Sequence, residues 1–312
     1  LLETICGTLQ GFLLKLARGK MVTGIGSLPF EDADEAIDLI FSTCEEIPFW
    51  PQLPKRSKKE NMYVPFVEGV PFFKITDEGS VFFDEESSHD LEEFFSRTNE
   101  GDNEYFSISE HLIPGFYRLM ERLWEIASSV KAIKTQITGP ITMAMGIKDS
   151  KGVPTIYNPF LFDLVKKTVN MKARWMVWEL KKLFPDKDVI IFFDEPYLSA
   201  YGSIYFSFPK EEIVKALDEV TRGIEAKKGV HCCGNTDWSL LLKTGMDILN
   251  YDAFNYLESI FLYKEEMATF LQRKGIISPG IVPSTEEIKE TKTEDVRRIL
   301  FRFLEKLINT RG

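Results

Sequence analysis

Short apolar runs alternate with long amphipathic runs along most of this 312-residue chain. In the longest amphipathic run, Leu161, Leu164, Val165 and Val169 recur at the three-to-four spacing of a helix face. Strands that alternate with helices predict a parallel sheet, either doubly wound or closed as a (β/α)8 TIM barrel. The predicted strands are residues 21–27, 47–52, 132–139, 188–194, 227–233, 247–252 and 276–283. The predicted helices include residues 31–44, 158–184, 210–224, 259–274 and 294–308.

Polar residues repeatedly follow a predicted strand. They are Gly26-Ser27, Thr138-Gly139-Pro140, Asp194-Glu195-Pro196, His231 to Asn235, and Asp252. In a (β/α)8 barrel all these positions open onto one face, where barrel active sites lie. A doubly wound sheet would collect its ligand contacts near one switch point, and no Gly-x-Gly-x-x-Gly motif follows any strand. The α/β chain is therefore predicted to form a TIM barrel.

The predicted strands number seven, whereas a barrel needs eight. The barrel is expected either to lack its last strand or to be permuted, with residues 1–5 as the eighth strand. Permutation would place Cys6 at the functional face, and it is sterically tolerated because the termini of a domain often lie close together. Residues 1–312 are read as one barrel domain. A hairpin over 71–75 and 80–84 belongs to an excursion at about 55–107, after the second strand.

The chain carries 38 basic and 48 acidic residues, a formal charge of −10. Nucleic acid is not an expected partner, because phosphate binding requires a basic face. Four scattered cysteines form no disulfide framework, so a cytoplasmic location is expected. Charged residues interrupt the apolar residues of segment 1–20. We therefore expect neither a signal peptide nor a membrane span there.

His231, Cys232 and Cys233 are consecutive, in a chain with only three histidines and four cysteines. Alternate residues of a strand point to the same side, so His231 and Cys233 share one face and Cys232 faces the other. An imidazole and a thiolate that converge at a strand end form half of a zinc site. A histidine of the core beside buried thiols is the alternative.

Six short motifs follow one another from residue 21 to residue 283. They are Gly26-Ser27-Leu28-Pro29, Thr138-Gly139-Pro140-Ile141-Thr142, Asp194-Glu195-Pro196, His231-Cys232-Cys233-Gly234-Asn235, Asp247 to Asp252, and Pro279-Gly280-Ile281. Their order resembles the barrel domain of cobalamin-independent methionine synthase. It also resembles the wider superfamily of uroporphyrinogen decarboxylase and the methylcobamide:thiol methyltransferases.

The resemblance implies metal ligands. His231 and Cys233 match the pair that holds zinc in the family. Family members add a second thiolate from the last strand, and the methionine synthases add a Glu about twenty residues after the His. Asp252 stands near that position, but no Cys follows Cys233. Only Cys6 could supply the second thiolate.

The resemblance also implies substrate contacts. Asp194 matches the aspartate that binds the amino group of the thiol substrate, although an Asp here could instead cap a helix. Ile25, Gly26 and Ser27 match the segment that contacts the substrate carboxylate, although they could form a simple tight turn. Glu68 is a loose match to a further acidic contact, and a solvated loop acid is the alternative.

The predicted function is that of a zinc-dependent methyltransferase, as in methionine biosynthesis. It would move a methyl group to a thiol such as homocysteine, from a methylfolate or a methylcorrinoid protein. One alternative is a metal-free decarboxylase of the uroporphyrinogen type. Another is a non-catalytic barrel that binds zinc or uses its thiols.

Overall fold

A five-stranded parallel sheet forms the centre of the computed structural model, which describes residues 21–84, 86–87, 90–204 and 206–311. The strands are β3 (Ala132–Thr138), β4 (Asp188–Asp194), β5 (Lys227–Cys232), β6 (Ile248–Asp252) and β7 (Ile276–Gly280). Each strand pairs with the next one along the chain, so the order in the sheet is the order in the sequence. The predicted parallel α/β sheet is confirmed.

The first two predicted strands, residues 21–27 and 47–52, are reduced to isolated parallel bridges. Phe49 bridges Lys134 of β3, and Ser27 bridges Gln52. Pro48 and Pro51 have no backbone N–H for a ladder, which explains why residues 47–52 pair only at single points. The two segments nevertheless extend the parallel array beyond β3, again in chain order.

Within the described part of the chain, no pairing joins β7 to the segment around Ser27. The predicted closed barrel is therefore not formed by these residues, and the sheet is open between these two edges. The eighth strand predicted at residues 1–5, together with Cys6, lies outside the described residues.

Helices connect the strands, and the longest lies between β3 and β4. The α-helices are α1 (Ala33–Thr43), α2 (Val64–Val67), α3 (Leu91–Glu100), α4 (Pro114–Arg122), α5 (Pro140–Gly146), α6 (Pro159–Leu183), α7 (Lys210–Glu219), α8 (Trp238–Leu242), α9 (Ala253–Tyr256), α10 (Lys264–Gln272) and α11 (Thr293–Arg311). Asn158 caps α6 by accepting from the N–H groups of Phe160 and Leu161. No helix of the described residues is both long and apolar enough to span a membrane.

Both faces of the sheet are covered, because alternate strand residues enter two separate hydrophobic clusters. On the helix-covered face, Ile191, Val230 and Cys232 belong to the main cluster. The opposite face carries a smaller cluster of Ile47, Ala132, Ile190, Phe192 and Ile248. This alternation leaves the residues near the strand ends on that second face free for polar chemistry.

The excursion after the second segment contains the predicted hairpin, β1 (Phe73–Ile75) paired antiparallel with β2 (Val81–Phe83). A buried ammonium connects the excursion to α6. Lys172 Nζ donates to the carbonyl oxygens of Glu68 and Ser107, at 2.8 and 3.0 Å. Burial lowers the pKa of Lys172 to about 8.

Candidate functional site

A row of polar residues crosses the sheet at one level. In the strand register Thr138 is opposite Asp194, Asp194 opposite His231, His231 opposite Asn250, and Asn250 opposite Ser278. We call these five residues the polar row. Because opposed residues of neighbouring parallel strands point to the same face, the row forms one continuous polar surface near the carboxyl ends of the strands.

A cavity of about 160 Å³ lies over three residues of this row, Thr138, Asp194 and His231. Five of the six predicted site residues line it, namely Ile25, Ser27, Asp194, His231 and Cys233. Gln52, Met62, Phe66, Gln136, Ile137, Thr138 and Pro196 complete its wall. Met62 and Phe66 come from the excursion, so this segment covers part of the strand ends.

Gly26, the sixth predicted site residue, lies at a bend whose backbone pairs with Gln52. Its carbonyl oxygen accepts from Gln52 N–H at 3.1 Å, and Leu28 N–H donates to the Gln52 carbonyl at 3.0 Å. A Cβ at residue 26 would lie 2.5 Å from Gln136 Nε2. Glycine is therefore required here to let the segment lie directly against the Gln136 side chain.

His231 is held in one tautomer by its neighbours in the polar row. Asn250 Nδ2 donates to the Ser278 carbonyl at 2.8 Å, which orients the Asn250 oxygen toward His231. His231 Nδ1 lies 2.6 Å from that oxygen and must carry the proton. The lone pair is therefore on Nε2. Burial lowers the pKa of His231 to about 4, so the ring is neutral at pH 7.

The two adjacent thiols face different environments. Cys232 is fully buried in the main hydrophobic cluster, as strand alternation predicted. Cys233 follows the end of β5, is exposed, and lines the cavity. Partial desolvation by the surrounding residues raises the pKa of the Cys233 thiol, although the residue is exposed, so the free thiol is protonated at neutral pH.

Asp194 lines the cavity and has one carboxylate oxygen without a hydrogen-bond partner in the described part of the chain. Its Oδ1 is buried and has no hydrogen-bond partner among the described residues. The side chain caps no helix, since the following 3-10 helix has no side-chain cap. Burial raises the pKa of Asp194, and the positive charge of Lys134 opposes this rise. A cationic donor on a ligand in the cavity would pair with the Asp194 carboxylate.

Lys134 is buried beneath the cavity, on the same face of β3 as Gln136. Its Nζ donates to the Ile25 carbonyl at 2.6 Å and to Gln136 Oε1 at 3.1 Å. The rings of Phe49 and Phe192 lie 5.8 and 5.0 Å from the ammonium. Burial lowers the pKa of Lys134. The two acceptors and the two ring faces stabilise the protonated form and so oppose this effect.

Glu195 connects the end of β4 to the start of α5. Its carboxylate accepts from the N–H groups of Ile141 and Thr142, at 2.9 and 2.7 Å, and from the Thr142 hydroxyl at 2.7 Å. Burial raises the pKa of Glu195, and the three donors oppose this rise. All three groups donate a hydrogen bond to the Glu195 carboxylate, so they stabilise its ionised form. Glu195 N–H also donates to the His231 carbonyl at 2.7 Å.

The described residues supply two donors for the predicted zinc ion, the His231 imidazole and the Cys233 thiol. No group of three His, Cys, Asp or Glu side chains within reach of one metal ion is found in the described part of the chain. Asp252, expected as a possible ligand, instead caps α9 by accepting from Asn255 N and Asn255 Nδ2, at 3.0 and 2.7 Å. Because structural and catalytic zinc sites use at least three protein ligands, these residues alone do not complete a zinc site.

Glu68 does not reach the cavity. Its carboxylate accepts from the backbone N–H and the hydroxyl of Ser109, at 2.7 and 2.5 Å. The loose match to a substrate contact is therefore wrong in this structure, and Glu68 connects two parts of the excursion.

The sequence analysis did not identify Lys134, Gln136 and Asn250 as site residues. One signal was present, since Lys134, Gln136 and Thr138 occupy every second position of β3. Polar residues at every second position of a buried strand indicate a polar second face.

No protein-family model matches the sequence, and no curated protein matches it. Solved structures similar to the chain include two methyl-transferring enzymes. A B12-independent methionine synthase from a Shewanella species, in complex with selenomethionine, is 17% identical and has a TM-score of 0.43. The match covers 93% of this chain and 99% of that chain.

The second similar structure is a methyltransferase from Methanosarcina mazei. It is 15% identical, with a TM-score of 0.47, and the match covers 92% of this chain and 94% of that chain. Likenesses at this identity and TM-score do not identify the activity of the chain.

Proposed function

We propose that the chain is a methyltransferase that methylates the sulfur of a small, amino-acid-like thiol in the cavity above the polar row. The proposal rests on one observation: Asp194, His231 and Cys233 all line the same cavity. Asp194 would pair with the substrate ammonium. His231 and Cys233 would then lie beside the substrate sulfur.

The cavity has the size of a small metabolite. Its volume of about 160 Å³ is below the roughly 300–1,000 Å³ of sites for drug-sized ligands. A tetrapyrrole is larger than such ligands, and the described lining of the cavity contains no Arg or Lys to pair with its carboxylates. Both features argue against the alternative of a uroporphyrinogen-type decarboxylase.

The transfer would form a sulfur–carbon bond and break the bond between the methyl carbon and the donor, which keeps the electron pair. The substrate thiol must first lose its proton, because a thiolate is the nucleophile. A bound zinc ion would favour that loss by stabilising the thiolate. His231 and Cys233 would be two of its ligands. A third would have to come from outside the described residues, and Cys6 is the candidate in this sequence.

Incubation with homocysteine and either methylcobalamin or 5-methyltetrahydrofolate tests the proposal, with the S-methyl product measured by mass spectrometry. Asp194→Asn should lower kcat/KM for homocysteine by about 30-fold or more, since a charged hydrogen bond is lost. The same variant should leave 4-mercaptobutanoate, which lacks the ammonium, nearly unaffected. Absence of transfer to homocysteine from both donors would contradict the proposal.

Metal analysis of the purified protein tests the zinc component separately. We expect about one zinc per chain, lost in His231→Ala and Cys233→Ser and retained in the matched Cys232→Ser variant. Loss of zinc in Cys6→Ser would identify the third ligand, and unchanged affinity would exclude Cys6. Zinc binding without methyl transfer would favour the non-catalytic alternative, whereas a wild-type chain that takes up no zinc would contradict the metal assignment.

A further inference from the structure

The Gln136 amide is fixed in one orientation. Lys134 Nζ can only donate, so the Gln136 oxygen, at 3.1 Å, must face it. Gln136 Nε2 correspondingly donates to the Trp50 carbonyl at 3.0 Å, which can only accept. The two contacts exclude the flipped amide. A flip would place the Gln136 N–H₂ group against the Lys134 ammonium, and the Gln136 oxygen against the Trp50 carbonyl oxygen.

One amide hydrogen of Gln136 remains available. An amide nitrogen carries two hydrogens, and Trp50 O is the only acceptor of Nε2 among the described residues. The side chain lines the cavity although the residue is only 2% exposed. A buried N–H without an acceptor is unfavourable, so a ligand that supplies an acceptor would be stabilised here.

Gln136 and Asp194 both line the cavity, and each has one hydrogen-bonding position without a partner among the described residues, an amide hydrogen of Gln136 and Oδ1 of Asp194. Gln136 is opposite Phe192, and Asp194 lies two residues further along β4. This diagonal offset places the two Cα atoms about 8 Å apart, from the spacing of strands and of residues along a strand. A carboxylate and an ammonium attached to one carbon atom could contact both side chains across such a gap.

The buried ammonium of Lys134 strengthens this donor. Its contact with the Gln136 oxygen polarises the amide, which makes the N–H a better donor. The same ammonium holds the Ile25 carbonyl at 2.6 Å. One buried charge thereby positions two parts of the cavity wall.

We propose that Gln136, oriented by Lys134, binds the carboxylate of the amino-acid substrate whose ammonium pairs with Asp194. This inference deepens the proposed function, on which its choice of substrate class rests. Gln136 acts as a specificity-determining residue, and Lys134 acts through it as a positioning residue.

Calorimetric binding of three probes tests the proposal without any catalytic step. The probes are L-methionine, 3-(methylthio)propylamine, which lacks the carboxylate, and 4-(methylthio)butanoate, which lacks the ammonium. Gln136→Met, of similar shape, should weaken L-methionine and the butanoate by about tenfold or more and leave the amine nearly unchanged. Asp194→Asn should weaken L-methionine and the amine and spare the butanoate.

Three further variants separate selectivity from general damage to the cavity. Gln136→Glu keeps an acceptor for Lys134 but removes the donor, and it should weaken carboxylate ligands more than Gln136→Met does. Lys134→Met should shift the ratio of the L-methionine and amine Kd values in the same direction, by a smaller factor. Gln52→Met makes the matched amide-to-thioether change in the same cavity, where the amide donates to Asn61 O, and should change the three Kd values by one common factor.

If both Gln136 variants keep the wild-type ratio of the L-methionine and amine Kd values, the inference is overturned. It is also overturned if the wild-type protein binds none of the three probes. Selective loss of carboxylate binding in a protein that transfers no methyl group would support the inference and contradict the proposed function. Methyl transfer with unchanged ligand selectivity in the Gln136 variants would support the proposed function and contradict the inference about Gln136. Thermal melting of each variant verifies that the compared proteins are folded.

Discussion

At the scale of single residues, His231 makes the folding stability depend on pH. The pKa of its ring is about 4 in the folded chain, against an ordinary value of 6.5. As pH falls through this window, the unfolded chain takes up the proton before the folded chain does. The stability contributed by the neutral ring is therefore present above pH 6.5 and is lost as pH falls toward 4, by up to about 3 kcal/mol.

Urea unfolding of the wild type and of His231→Gln at several pH values between 4 and 6.5 measures this contribution as a difference. Other groups with shifted pKa values, such as Asp194, are present in both proteins, and their effects cancel to first order. The difference in stability between the two proteins should shrink as the pH falls. A difference that does not change with pH would contradict the buried, neutral ring.

The cysteines provide a second prediction at this scale. In a Cys6→Ser background, native protein should react with a thiol reagent first at Cys233, because Cys44 and Cys232 are buried. The rate should rise with pH up to and beyond pH 9, since the pKa of Cys233 is raised and the thiolate is the reactive form. Cys233→Ser should remove the fast phase and Cys232→Ser should retain it. Fast labelling that persists in Cys233→Ser would assign the wrong thiol to the cavity.

At the scale of elements, Glu195 provides the connection between β4 and α5. Gln at residue 195 would place an N–H₂ group against the N–H donors of Ile141 and Thr142. We expect Glu195→Gln to lower the free energy of unfolding by about 2–3 kcal/mol, the cost of losing charged hydrogen bonds and burying an unmatched donor. Glu211→Gln, an exposed position at the start of α7, is the matched control in denaturant unfolding. Equal midpoints for the two variants would show that the connection contributes little.

The elements also indicate how far the sequence alone predicts this fold. β4 begins and ends where its apolar run predicts, at Asp188 and Asp194, because strand length and burial follow directly from that run. The segment around Phe49 differs, since its prolines limit pairing to one bridge. The local pattern of apolar residues identifies where a strand lies. Whether that strand forms a continuous hydrogen-bonded ladder also depends on which backbone N–H groups are available to its neighbour.

The candidate site was predicted in part, for a physical reason. His231 and Cys233 could be placed together from the alternation of residues in the predicted strand 227–233 alone. Asn250 and Gln136 could not, because their roles depend on the register of neighbouring strands and on which amide atom faces which partner. Asp252 was expected as a possible zinc ligand because it stands near the position of the family's Glu, but its carboxylate is occupied at the start of α9.

At the scale of the whole molecule, Lys172 joins the excursion to the helical layer. Lys172→Met should leave the carbonyls of Glu68 and Ser107 without a buried donor and lower stability by about 2 kcal/mol. Hydrogen exchange should increase in the excursion, around residues 62–68 and 107–109, more than in β3 or β4. Lys182→Met, at an exposed position near the end of the same helix, serves as control. Uniform acceleration across the sheet would contradict a connection local to the excursion.

The order of the sheet has a consequence for the proton on His231. The Ser278 carbonyl in β7, two strands away from the imidazole, sets the Asn250 amide and thereby decides which ring nitrogen is protonated. Until β7 has joined β6, that amide can rotate and the imidazole can exchange its proton between both nitrogens. If strands are added in chain order, the lone pair on Nε2 becomes fixed only when the outermost described strand is in place. The chemistry of β5 is then completed at the last stage of sheet assembly.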